Sequence, residues 1–155
     1  MAGDPAIRHR IDTVPGLAGL ADGIDTSDIA RCLLMVSIAC ADVTAIGAEP
    51  VVAEAFNQWR CGAGVSEPMR TALDELVANA DVLAADRRHD QANRDVAFRR
   101  ARALTCLHLA SAASVDQPSA VLREVLRESA YEASHVLTSA GVVGVLKPFV
   151  ASESR

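Results

Sequence analysis

The chain has 155 residues, half of them apolar but only 3% aromatic, and a formal net charge of −5. That length suits a single domain with a core of Ala, Val and Leu, and the acidic balance argues against a general polyanion binder. The charge is uneven: residues 1–85 hold 5 basic and 12 acidic side chains (−7), whereas residues 86–155 hold 10 and 8 (+2), so anion contacts fall to the second half. Fourteen of the 15 basic residues there and elsewhere are Arg, the side chain that grips an anion through two parallel N–H groups.

Four cysteines (Cys32, Cys40, Cys61, Cys106) show neither CxxC pairing nor zinc-like spacing. Free thiols in an apolar sequence fit a reducing compartment. The start of the chain lacks a signal-peptide core, and the longest apolar run is about ten residues, short of the roughly twenty that cross a bilayer. These features lead to the expectation of a soluble cytoplasmic protein without membrane contact.

Residues 1–25 contain Pro5, Pro15 and several glycines, and read as a loose lead-in with one helical turn from Pro15 to Ala21, stopped by Gly23. A bundle follows over residues 26–140. Its first helix, about 28–47, has no charge between Cys32 and Ala41, and a helix apolar on every side belongs in the interior. Ser27 stands where an N-cap is needed. Val51–Arg60 is a short helix closed by Cys61 and Gly62. From Ser66 to about Arg87, a stripe of Met69, Leu73, Leu76, Val77, Ala80, Leu83 and Ala84 lies on one side.

The polar stretch Asp86–Arg94 is a corner rather than a continuing helix. A helix then runs from Ala92 to Ser114, nearly all apolar after Ala103. Asp116, Gln117 and Pro118 make the next turn. The last long helix, Ser119–Ser139, turns Leu122, Val125, Leu126, Ala133, Val136 and Leu137 inward, with Gly141 as its C-terminal cap. Residues 141–155 then form an apolar tail that docks in its own groove or a neighbour's. The fold class is all-α: a single-domain bundle of four long helices and one or two short ones around a buried central helix.

Three constellations bear on chemistry. Asp86…His89 and Glu132…His135 each place an acid three residues before a histidine, the spacing of a carboxylate–histidine metal site in a bundle. Helical phase turns Glu132 and His135 away from the inward stripe, so no metal or other cofactor is expected. Arg102-Ala-Leu-Thr-Cys-Leu-His108 has an Arg, a short spacer and a His. It resembles the Arg-spacer-His of the helical ribonucleases called HEPN domains, although Ala103 replaces the polar residue that often follows the Arg there. The resemblance implies phosphodiester cleavage by Arg102 and His108 from two subunits, with the Arg87–Arg102 cluster attracting the RNA backbone. Third, Cys61 sits at a helix end beside Arg60, where the helix dipole disfavours a thiolate and a structural thiol is expected.

Trp59, the only tryptophan, fits a groove-filling anchor or the wall of a small-molecule site inside the bundle. None of these patterns outweighs its structural explanation. The expected function is therefore a non-catalytic interaction or regulatory module. It is expected to be homodimeric through the helix at 92–114 and the tail at 142–150. The HEPN-like ribonuclease and small-molecule binding near Trp59 are the alternatives.

Overall fold

The computed structural model describes residues 10–62, 64–86, 88, 90–113 and 117–150. Among the described residues six α-helices follow one another: α1 Leu17–Asp22, α2 Ile29–Thr44, α3 Pro50–Arg60, α4 Glu67–Ala84, α5 Gln91–Ala112 and α6 Ser119–Leu146. Short 3-10 turns fill several joints, and no strand occurs among the described residues. The all-α bundle expected from the helical periodicity is the fold.

The core lies where α2, α5 and α6 meet, with α4 packed along α5 and α1 against α6. From α2 come Ile29, Cys32, Leu33, Val36, Cys40 and Ala41; α5 adds Leu104, Cys106 and Leu107; α6 adds Leu122, Leu126 and Leu146, all buried. Most of these side chains are small or medium in size, which lets the helix axes approach closely.

Local chemistry sets the helix ends. Asp25, not Ser27, opens the α2 region: its carboxylate accepts from the Ser27 N–H at 3.0 Å and from the Ser27 hydroxyl at 2.8 Å. These two bonds, with a smaller contribution from the Arg123 charge, hold its pKa below the ordinary carboxylate value. Pro50 starts α3, where its missing N–H costs nothing. Asp90 caps α5 by accepting from the Asn93 N–H at 2.8 Å, which makes the stretch after α4 a corner.

The chain ends differ from the sequence expectation. Residues 10–24 are packed: Ile11, Leu17, Ala21 and Ile24 are buried, and Gly23 closes α1. At the other end α6 continues through Gly141 to Leu146, so Gly141 is not a cap. Thr138 breaks the helix with φ 66° and ψ 166°, a region that a β-branched residue rarely enters. Its hydroxyl then caps the following turns by accepting from the Gly141 N–H at 3.3 Å. Arg99 Nη2 donates to the Val136 carbonyl at 3.1 Å, satisfying a group at the end of the first segment. Gly141 is needed at this bend because a Cβ there would stand 2.9 Å from the Leu137 Cβ.

The bend returns the tail to its own bundle. Val142 and Leu146 are buried, and Val150 pairs with Ile24 in one antiparallel bridge. No helix among the described residues is long and apolar enough to cross a membrane.

Candidate functional site

Two features depart from the ordinary partition of polar and apolar groups. The first is a charged contact reaching into the bundle. Arg102 on α5 donates through Nη1 to Glu132 Oε2 on α6 at 2.9 Å and through Nη2 to Asp81 Oδ1 on α4 at 2.5 Å. Glu132 is only 3% exposed. Burial works against the Arg102 charge, but the Glu132 and Asp81 carboxylates more than offset it, and the guanidinium pKa is raised. The Arg102 guanidinium carbon also stands 5.6 Å from the centre of the Phe98 ring.

Deeper in, Cys106 donates to the Ser129 carbonyl at 3.4 Å. A hydrogen bond with Cys40 and burial push the Cys106 thiol well above its ordinary pKa. Burial, helped by Asp28, pushes the Cys32 thiol up to about 12. Both are thiols at neutral pH and poor nucleophiles. Ser129 Oγ and Arg102 Nε are buried without a hydrogen-bond partner among the described residues.

This arrangement corrects the placement of Glu132. Helical phase from Leu122 turned it toward water; instead it lies on the flank where α5 packs, neutralised by Arg102. Its neighbour His135 is exposed and makes edge-to-face ring contacts with Tyr131 and Phe98. Glu132 and His135 therefore diverge. Asp86 binds Arg88 at 2.8 Å, while His89 and Arg87 fall outside the described residues. No group of three metal-ligating side chains forms among the described residues.

Arg102 and His108 lie on one helix, about 9 Å apart along its axis by the standard rise. Arg102 is occupied by two carboxylates. His108, partly exposed, faces Asp74 of α4 with Nε2 3.7 Å from Oδ1. The two side chains thus have separate acidic neighbours within this chain. Trp59 packs against the core and lines neither of the grooves described next. Cys61 is exposed at the end of α3.

The second feature is the outer side of α2. Although seven of its residues are buried, Met35 is 44% exposed and Val43 52%. The helix is the central one, yet among the described residues no helix is laid over its far side. Grooves run along both flanks. One, of about 600 Å³, lies between Arg31, Met35, Ile38, Ala39 and Asp42 of α2 and Val145, Pro148 and Phe149 at the end of the chain. The other, of about 430 Å³, is shared with α3 and reaches Phe56 and Arg60. Ile38 and Asp42 border both.

Sequence reasoning missed this face because an uncharged helix was assigned wholly to the interior. The available signal was Arg31 and Asp42, which bracket the apolar run eleven residues apart on the same side of the helix. Comparison with protein-family models, curated proteins and solved structures gives no match to this chain, so the functional reading rests on its own side chains.

Proposed function

We propose that this protein is a non-catalytic interaction module that pairs with a second copy of itself through the outer face of α2. One observation carries the reading: the most apolar helix of the bundle leaves Met35 and Val43 in water, with Met35 on the wall of the larger of two grooves along it. A continuous apolar surface of this kind is costly to hydrate and marks a contact site more often than an isolated exposed side chain does.

The surfaces favoured by the sequence alone carry less weight. Val142 and Leu146 of the tail are committed to the chain's own core. On α5, Val96 and Phe98 are exposed, but Phe98 already contacts the His135 ring and Arg102. The tail contributes instead as a groove wall, through Val145, Pro148 and Phe149. The buried free thiols of Cys32, Cys40 and Cys106 fit a reducing compartment, which supports reading the module as cytoplasmic.

Sedimentation velocity across a concentration series tests the reading. The wild type is expected to shift from monomer to dimer in the micromolar range, and Met35→Glu to remain monomeric with unchanged helical circular dichroism. A wild type that stays monomeric at high micromolar concentration, or a Met35→Glu variant that dimerises as well as the wild type, overturns it.

A further inference from the structure

The outer face of α2 carries its own partner pattern. Arg31, Met35, Ile38 and Asp42 are spaced four, three and four residues apart. At 100° per residue they fall within about 60° of one direction, the spacing of a coiled-coil seam. The ends of this seam are opposite charges and its middle is apolar. Arg31 is 70% exposed at its side chain. Asp42 makes no hydrogen bond or ion pair among the described residues.

The charges also oppose the helix that bears them. Arg31 occupies the first turn of α2 and Asp42 the last, whereas the helix dipole favours an acid at the start and a base at the end. Arg31 has one intrachain counter-charge, Asp28 at 3.4 Å, and stands 5.4 Å from the centre of the Phe149 ring. A local preference broken at both ends of one exposed seam calls for a compensating contact.

Resting on the self-association reading above, we infer that α2 packs antiparallel against α2 of a second copy about a two-fold axis between Val36 and Ser37, with Arg31 of each copy facing Asp42 of the other. The same axis sets Met35 opposite Ile38 twice. Every position on the seam thereby meets its complement, as a closed two-fold interface requires. A parallel pairing would place Arg31 on Arg31 and Asp42 on Asp42, so the charges select the direction as well as the partner. Ala39 and Gly144 leave room beside the seam for the Met35 side chain of the second copy to enter the larger groove.

A charge-exchange series tests the geometry. Arg31→Asp and Asp42→Arg singly are each expected to weaken dimerisation about tenfold, because two-fold symmetry turns one substitution into two like-charge contacts. The double variant is expected to recover to within about twofold of wild type, the coupling that a double-mutant cycle isolates. Each substitution agrees better with the helix dipole than the residue it replaces, while Arg31→Asp also removes the Asp28 pair and the Phe149 contact; thermal melting of each variant separates a weaker dimer from a weaker fold. Singles without effect, or a double variant no stronger than the singles, overturn the antiparallel pairing. If Met35→Glu is monomeric in that case, self-association through α2 stands and only this geometry falls. A wild type that never dimerises removes both.

Discussion

The Arg102–Glu132 contact and the outer face of α2 reverse the usual partition in opposite senses. One draws charge into the interior; the other leaves hydrocarbon in water. The charges are answered within the chain, since Arg102 reaches Glu132 and Asp81 at hydrogen-bonding distance. The apolar face has no such answer, because Met35 and Val43 remain exposed after every described helix has packed. A reversal completed inside the chain belongs to its architecture, whereas one left open at the surface points to something beyond it.

Breaking the internal reversal is expected to have a large effect. Glu132→Gln leaves the buried side of Arg102 without its full counter-charge, and urea denaturation should report a loss of about 3 kcal/mol. Joining it with Arg102→Met should recover most of that loss, since both charges leave together. A double variant as unstable as the single one would mean that the pair is more than a mutually compensating contact.

Next comes the contrast between the two sides of α2. Leu33→Ala on the buried side should cost about 2–5 kcal/mol, as expected when a core side chain leaves a cavity. Met35→Ala, about half a turn away on the exposed side, should change monomer stability by less than about 0.5 kcal/mol. Equal losses at the two positions would show that the outer face is covered in the monomer.

The smallest effect concerns the thiols behind that face. Cys32 is held as a thiol up to about 12, against 9.0 ordinarily. Its folded pKa is raised, so its contribution to stability is complete below 9 and declines as pH rises through the window from 9 toward 12. Between pH 9 and 10 the loss should be about 1 kcal/mol for this thiol. In native protein at neutral pH, a thiol reagent should modify Cys61 quickly and the buried Cys32, Cys40 and Cys106 only on unfolding. Fast modification of all four would contradict the burial of the inner side of α2.

Helical phase and composition were enough to reveal the all-α class, the position of α2 through α5, and the corner ahead of Gln91. The signals there are local: apolar spacing within each segment, Gly62 after the short helix, and the polar run that opens at Asp86. Thr138 carried no comparable mark, because its left-handed φ at the bend is not announced by a Gly or Asn in the sequence. Glu132 was misread for a related reason. A wheel centred on one stripe knows a helix's own axis but not how many neighbours surround it, and α6 meets both α2 and α5.

Sequence alone thus determined most of the helical segments, though not the turns after Thr138, and that their apolar sides must be hidden, since backbone hydrogen bonding and side-chain periodicity are properties of neighbouring residues. Only tertiary packing decided which sides are hidden and which remain outside. An uncharged helix can satisfy the first demand with one face, as α2 does through Leu33, Val36 and Cys40, and still present Met35 and Val43 to water. The number and placement of helices laid against it depend on contacts between residues far apart in the chain, and no local pattern records that count.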